Sequence, residues 1–194
     1  MKKYILKFKG PFSFIRHTHP CIFEQDIAQD SGIYIWTIPY CQGGYIITYI
    51  GETGVSFYKR TKERFIQLIG GNYRILDSDS ALKGELKELW RGMWRKGTRD
   101  KMPEYFEKLI EFAPKIVRLL KTQQIFLASF EAERNIRRKI EWAIAEHIKN
   151  QPLPASSLFP RDVRYYMPKD IKESLTVILE CQSNIYGLPK KLNI

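Results

Sequence analysis

Residues 32–51, GIYIWTIPYCQGGYIITYIG, contain no Asp, Glu, Lys or Arg, although 27% of the chain is charged. A membrane span needs about 20 apolar residues, so the length of this run alone would allow one. Pro39, Gln42, Gly43 and Gly44 lie in its middle, however, and such residues favour a turn between two strands. We therefore predict a buried β-hairpin here and no membrane partner.

A symmetric antiparallel pairing predicts which residues of this hairpin face each other. With the midpoint of the turn between Cys41 and Gln42, Tyr34 lies opposite Tyr49. Directly opposed residues share a face of the sheet, with Cβ atoms about 4.5–5.5 Å apart. The two tyrosines should then point the same way and nearly touch. Aromatic residues are also common in strands, so simple packing stays open as an alternative.

Length and composition favour a single domain with a nucleic-acid partner. The 194 residues are 44% hydrophobic, so we treat residues 1–194 as one domain with a sizeable core. The 32 Lys and Arg exceed the 21 Asp and Glu by 11, which favours a polyanionic partner. The three cysteines form no CxxC pair, which is not typical of a disulfide framework or a cysteine zinc site. Since no signal peptide is recognisable, we expect a cytoplasmic protein.

The helix predicted after the hairpin carries two arginines on one face. It runs from Phe57 to about Ile69, and Ser56 is its predicted N-cap. Arg60 and Arg64 are four residues apart, and a short connection holds Arg60 close to the tyrosine face. An arginine there could bind a phosphate through two hydrogen bonds, although a solvated helix face is the alternative.

A second helix is predicted at residues 80–96, with a basic ridge along one side. Its cationic residues recur every four positions: Lys83, Lys87, Arg91 and Arg95. Such a ridge could follow a phosphate backbone, which makes these four candidate nucleic-acid-binding residues. An ordinary solvated helix face would show the same pattern.

Elsewhere in the chain the sequence predicts three further strands and a long helix. The strands lie at residues 3–9, 125–130 and 175–181, and the helix at residues 131–150. Glu141 follows Ile140 at the flank of the apolar side of that helix. It is either a half-buried carboxylate that binds a metal or a partner of Arg137 or Arg138 in a helix ion pair.

These candidates suit phosphodiester hydrolysis. That reaction needs an activated water, a cation that neutralises developing charge, and help for the leaving oxygen. A glutamate can hold Mg²⁺ and an arginine can hold the phosphate. A tyrosine has a pKa near 10 and is a poor base unless a cation lowers it.

The chain resembles the GIY-YIG endonucleases over about residues 30–151. Gly32-Ile33-Tyr34 and Tyr49-Ile50-Gly51 match the two motifs that name this family, with 14 residues between them. Arg60 matches the arginine of the helix after the second motif. Glu141 matches the glutamate of a later helix that follows a third strand.

The resemblance implies an α+β fold, sandwich-like, with a small three-stranded antiparallel sheet flanked by helices. Relative to such a core, residues 72–122 are a helical insertion and residues 152–194 a C-terminal extension, with extra strands at both termini. It also implies a DNA endonuclease that cuts phosphodiester bonds with one divalent metal, Mg²⁺ or another such as Mn²⁺. A restriction, repair or mobile-element role is undecided, and a double-strand cut would suggest a homodimer.

Roles for individual residues follow from the same resemblance. Glu141 would bind the metal and Arg60 would hold the phosphate. Tyr34 would be the general base or would position the water, Tyr49 would assist, and Gly51 would keep the surface open to the substrate.

The chain departs from the family pattern at two places. Arg64 stands where many members have His or Tyr, so a phosphate contact replaces a base role there. Near the position of a family asparagine the chain offers Asn150, which is closer to the glutamate than usual, or Ser156 and Ser157. These departures support the alternative hypothesis, a catalytically inactive nucleic-acid-binding module on the same fold.

Overall fold

The computed structural model describes residues 2–93, 101–168 and 173–194, which form a mixed α+β structure. The strands are β1 (Lys2–Ser13), β2 (Gly32–Pro39), β3 (Tyr45–Thr53), β4 (Ile75–Leu76), β5 (Glu88–Trp90), β6 (Gln124–Ser129), β7 (Leu175–Cys181), β8 (Ile185–Tyr186) and β9 (Lys191–Asn193). The α-helices are α1 (Phe57–Ile69), α2 (Ser78–Leu82), α3 (Met102–Glu107), α4 (Leu109–Thr122) and α5 (Arg134–Lys149). Among them, none combines the length and apolar character that crossing a membrane requires.

Seven of the strands form one sheet in the order β8-β3-β2-β6-β1-β7-β9. Strand β2 pairs antiparallel with both β3 and β6, so three consecutive antiparallel strands do exist. They are part of a larger mixed sheet, however, because β1 pairs with β6 and β7, and β8 pairs with β3. The prediction of terminal strands is confirmed, whereas the sheet is larger than the three-stranded one expected. The added strands cover edges of β3 and β6 that would otherwise expose unpaired backbone groups.

The hairpin of β2 and β3 forms as predicted, but its register differs by two residues. Tyr34 lies opposite Gly51, and Tyr49 lies opposite Trp36. The observed turn is centred on Gln42, whereas the predicted midpoint lies between Cys41 and Gln42, and this shifts each pairing by one residue. The other shift of one residue comes from a bulge next to Trp36, where Thr48 is the extra residue of β3 and its hydroxyl donates to the Trp36 carbonyl.

The two tyrosines nevertheless share a face, because Gly51 and Tyr49 are two residues apart on the same strand. Their ring centroids are 6.2 Å apart. The prediction of a common face is therefore confirmed, and the prediction that Tyr34 and Tyr49 lie directly opposite each other is wrong.

The two faces of the sheet pack against different helices. Tyr34 and Trp36 belong to a core that includes buried residues of α1 and α4. Ile33, Ile35 and Ile47 point to the other face, where they pack with buried residues of α5. Full burial of an apolar side chain contributes about 1.5–3 kcal/mol, so these two layers hold all three helices against the sheet.

Helix α1 has the bounds that its sequence predicts. The Ser56 hydroxyl accepts a hydrogen bond from the Lys59 backbone N–H, as an N-cap does. Phe57, Thr61 and Leu68 are buried along its inner side. Arg60 and Arg64 therefore project from this helix beside β3.

The helix predicted at residues 80–96 is wrong. Helix α2 ends at Leu82, and Gly84 has a φ of +74°, a left-handed conformation that ends a helix. Lys83 and Lys87 are exposed in the loop that follows, and Arg91 follows the short strand β5. Arg95 lies outside the described residues. The described members of the set, Lys83, Lys87 and Arg91, therefore do not form a helical ridge.

Candidate active site

The site lies at the edge of β3. Strand β8 pairs only with Tyr45 and Ile46, so within the described part of the chain the rest of this edge has no strand partner. Side chains occupy it instead. The Tyr165 hydroxyl lies 3.5 Å from the Ile50 carbonyl, and the Glu52 backbone N–H donates to Glu141 Oε1 over 3.1 Å.

Glu141 reaches this edge from α5, which packs on the sheet face opposite the tyrosines. The side chain is half-buried, as its position beside Ile140 predicts. Burial, followed by the nearby charge of Glu52, raises the pKa of the Glu141 carboxyl to about 7. An ionised Glu141 is thus disfavoured without a cation, and a bound cation would favour it.

The predicted ion pair between Glu141 and an arginine of its own helix does not form. Arg137 Nε lies 3.0 Å from Glu52 Oε2, and Arg138 Nε lies 3.7 Å from Glu52 Oε1. We call Glu52, Arg137, Arg138 and Glu141 the carboxylate cluster. Sequence reasoning missed Glu52, although its place directly after the second motif is a signal that could have found it.

Tyr34 lies at the centre of the site but is shielded from solvent. Its side chain is 2% exposed, and its hydroxyl has no hydrogen-bond partner among the described residues. A Cβ added to Gly51 would lie 2.3 Å from the Tyr34 hydroxyl oxygen, so only glycine leaves room for this ring. Burial raises the pKa of Tyr34 well above its usual value, which favours a positioning role over a base role in the unbound protein.

Arg64 is held by two other tyrosines. Its guanidinium donates to the Tyr49 hydroxyl over 2.7 Å and to the Tyr73 hydroxyl over 2.8 Å. Its Cζ atom also lies 4.6 Å from the Tyr49 ring centroid. We call Tyr34, Tyr49, Tyr73 and Arg64 the tyrosine cluster. Burial raises the pKa of Tyr49, and the charge of Arg64 opposes that rise.

A cleft of about 950 Å³ opens beside the tyrosine cluster. Its walls come from α1, from the segment around β4 and β5, and from residues 160–164. Arg74, the residue before β4, donates hydrogen bonds to the carbonyl of Thr48 in β3 and to the carbonyl of Leu158. The described lining is strongly basic, because its acidic residues are Glu63 and Asp162 while its arginines are Arg60, Arg64, Arg74, Arg91 and Arg164.

The cleft brings together only some of the predicted site residues. Tyr49, Arg60 and Arg64 line it, and so does Arg91 from the predicted basic set. Tyr34, Gly51 and Glu141 do not line it. Glu141 is still close enough to influence the pKa values of Tyr34 and Tyr49. Lys83 and Lys87 lie outside the lining.

The cleft lining includes none of the three candidates for the family asparagine, Asn150, Ser156 and Ser157. The Asn150 side chain donates to the Glu146 carbonyl at the end of α5. It follows Glu141 by nine residues, which is about 13 Å along a helix. Ser156 is buried beyond that helix end.

Glu141 is the residue that fits a divalent metal best. The described residues contain no group of three or more His, Cys, Asp or Glu side chains that could hold an ion. Mg²⁺ keeps several waters, however, and binds through one or two carboxylates plus substrate phosphate. Oε2 of Glu141 has no hydrogen-bond partner among the described residues, whereas the Glu52 carboxylate is already paired with two arginines.

Comparison with known proteins finds no matching family model, no matching curated protein and no matching solved structure.

Proposed function

We propose that this protein is a metal-dependent DNA endonuclease of the GIY-YIG type. One observation carries the proposal: the Glu141 carboxyl is fixed to the backbone of β3, one residue after the glycine that Tyr34 covers. The second motif, the tyrosine of the first motif and the glutamate of α5 thus meet at one strand edge. In this proposal β3, β2 and β6 correspond to the three-stranded sheet of the family.

The arginines supply the second part of the argument. Arg60 lines the cleft, and its side chain is 35% exposed and paired only loosely with Glu63, at 3.3 Å. A surface pair of this kind contributes little, so a phosphate could replace Glu63 at small cost. Arg64 is committed to two tyrosine hydroxyls, which makes it a positioning residue for Tyr49.

The chemistry follows from these placements. Mg²⁺ held by Glu141 would polarise a phosphate oxygen and lower the pKa of a bound water. Arg60 would bind the phosphate, and the Tyr49 hydroxyl, which lies in the cleft, would orient the attacking water. The Tyr34 hydroxyl would share that role once substrate binding opens a path to it, because it is enclosed in the unbound protein. The protonated state that burial imposes on Tyr34 suits a hydrogen-bond donor in that role.

Supercoiled plasmid incubated with Mg²⁺ or Mn²⁺ tests the proposal. We expect the wild type to nick the plasmid and Glu141→Ala and Arg60→Ala to lower the rate on the order of a hundredfold or more. Matched controls on the same helices are Glu146→Ala and Lys62→Ala, which should stay near the wild-type rate. Linear product formed in a single step would indicate a dimer that cuts both strands.

Two outcomes would change the conclusion. If Glu141→Ala nicks as fast as the wild type, the metal assignment is wrong while the nuclease remains. If no metal supports nicking but DNA binding is intact, the protein is a nucleic-acid-binding module.

A further inference from the structure

The floor of the cleft is aromatic and apolar, which a phosphate backbone alone does not require. Trp36, Leu68 and Leu76 line it, and all three are buried. The rings of Tyr49 and Tyr73 add to the same lining. Nucleobases stack on aromatic side chains, so this floor suits a base better than it suits a phosphate.

A donor and an acceptor without partners lie in the cleft lining. Trp36 Nε1 and Gln123 Oε1 are enclosed and have no hydrogen-bond partner among the described residues. Their side chains are 7% and 6% exposed, and both residues line the cleft. Buried polar groups are normally paired, so each of these two atoms calls for a partner, and a ligand in the cleft could supply it. The edge of a nucleobase carries both an acceptor for an N–H and a donor for a carbonyl oxygen.

The rim of the cleft has the charge that a nucleotide strand needs. The Arg91 side chain is 75% exposed, and its ion pair with Glu88 is 3.5 Å long. Arg164 is exposed on the opposite wall. With Arg60 they place three cations around an apolar floor, which matches a base inside the cleft and phosphates along its rim.

We propose that the cleft holds one unstacked nucleobase of the DNA strand whose phosphate is presented to Glu141. This inference rests on the proposed function, because it names the substrate of that site. The volume of about 950 Å³ lies within the range of small-molecule sites. A small side-chain shift accompanies binding, since neither Trp36 Nε1 nor Gln123 Oε1 touches solvent in the unbound protein.

The inference has a consequence for substrate choice. Taking a base out of a duplex costs free energy, and the cost is smallest where the base is already unpaired. The protein should therefore prefer DNA with an extrahelical or single-stranded nucleotide over a continuous duplex.

Three labelled DNAs without added metal test the inference by binding alone: a continuous duplex, the same duplex with one bulged thymidine, and the same duplex with one bulged abasic nucleotide. We expect the bulged thymidine to bind about tenfold more tightly than the continuous duplex, and the abasic bulge to lose most of that gain. Equal binding of the two bulged DNAs would overturn the base site, and so would failure to bind any of the three.

Two neighbouring glutamines provide a matched pair of variants. Gln123→Leu removes the acceptor that lines the cleft, and we expect it to lower the base-dependent preference about fivefold. Gln124 has an equally enclosed, unpartnered Oε1 but does not line the cleft, so Gln124→Leu should leave the preference unchanged. Trp36→Phe keeps an aromatic ring but removes the indole N–H, and should act like Gln123→Leu. Identical preference in all three variants would contradict the proposal.

The outcome is separable from that of the nicking assay. Metal-dependent nicking with no base-dependent binding would remove the base site and leave the nuclease. Base-dependent binding by a protein that nicks nothing would leave the base site and remove the nuclease.

Discussion

The tyrosine cluster and the carboxylate cluster lie at the same end of β3 but differ in how their arginines are paired. In the tyrosine cluster one cation, Arg64, is held by two hydroxyls and lies over the rings that carry them. In the carboxylate cluster Arg137 and Arg138 both form ion pairs with Glu52, and neither forms one with Glu141.

This difference indicates that a bound cation would act on Glu141 and not on the tyrosine cluster. The tyrosine cluster is already organised by its own residues. Glu141 lies in surroundings that disfavour its charge, and the charges of Arg64 and Arg138 only partly offset its burial and the nearby charge of Glu52. The comparison therefore predicts that a divalent cation acts on the carboxylate cluster and leaves the tyrosine cluster unchanged.

Replacing Glu141 gives the largest expected effect on stability. The pKa of Glu141 is raised from 4.5 to about 7, so the folded state binds more protons than the unfolded state between these values. Its contribution to the free energy of unfolding therefore falls as pH rises through this window. We expect Glu141→Gln to match the wild type below pH 4.5 and to be more stable at pH 8 by about 3 kcal/mol. Urea unfolding of both proteins across this range measures the difference.

Mg²⁺ sharpens the same comparison. Added at pH 8, it should stabilise the wild type, because it binds only the folded protein, and it should not stabilise Glu141→Gln. Equal stabilisation of both proteins would place the ion elsewhere.

Substitution of Gly51 tests how closely Tyr34 of the tyrosine cluster packs on β3, one residue before Glu52 of the carboxylate cluster. In Gly51→Ala the new Cβ would lie 2.3 Å from Tyr34 Cζ, so the buried ring must move. Overpacking of this kind costs roughly 1–3 kcal/mol, or about 2–4 °C in melting temperature per kcal/mol for a chain of this size. Nicking should fall as well, since Tyr34 leaves its position.

Gly70→Ala is the matched control, because the nearest atom outside its chain neighbours that its Cβ would meet is the Ile66 carbonyl oxygen at 3.2 Å, which is close but far less crowded than the 2.3 Å at Gly51. It should melt within about 1 °C of the wild type. If Gly51→Ala melts like Gly70→Ala, the close packing of Tyr34 on Gly51 is not essential to the fold.

Arg64→Lys weakens the tyrosine cluster while keeping its charge. A lysine cannot reach both hydroxyls with a planar fork, so one hydrogen bond is lost and stability should fall by about 1 kcal/mol. Ultraviolet titration should show little change in the pKa of Tyr49, because the cation remains. Arg60→Lys, one helical turn earlier and loosely paired, should unfold like the wild type. A large stability loss in Arg60→Lys would contradict this division of roles.

Local sequence signals predict much of the fold. The turn residues between two apolar runs predict the hairpin, and Ser56 with Gly70 predicts the ends of α1. The flank position of Glu141 predicts a half-buried carboxylate. Each of these properties depends on residues within about one helical turn or one strand pair, which is why they can be predicted without the tertiary structure.

Two features depend on non-local packing. One is the register of the β2–β3 hairpin, and the other is the early end of the helix predicted at residues 80–96. The bulge at Thr48 has no sequence signal, and a single extra residue changes every pairing beyond it. In residues 80–96 the spacing of the apolar residues Leu82, Leu86, Leu89, Trp90 and Met93 favours a helix. Trp90 instead packs against Tyr105 and Phe112, and Gly84 ends α2. Burial of one large aromatic residue outweighs helical propensity over such a short segment.

The cleft could not be predicted, because three distant segments build it. Arg60, Arg74 and Arg164 come from α1, from the residue before β4, and from the segment after α5. Only the sheet brings them together. Glu52 is the residue that sequence reasoning could have found, since it directly follows a recognised motif.

The smallest expected effects concern the basic residues outside the cleft. Lys83→Ala and Lys87→Ala change exposed loop residues, so stability should stay within about 0.5 kcal/mol of the wild type. Because neither residue lines the cleft, DNA affinity should fall less than twofold. Arg91→Ala and Arg164→Ala remove cations of the rim, and each should lower the slope of log affinity against log salt by about 0.9 if it contacts one phosphate. Anisotropy titrations at several salt concentrations compare the two pairs. A larger change in slope for the lysines would place the phosphate backbone along the α2 loop and away from the cleft.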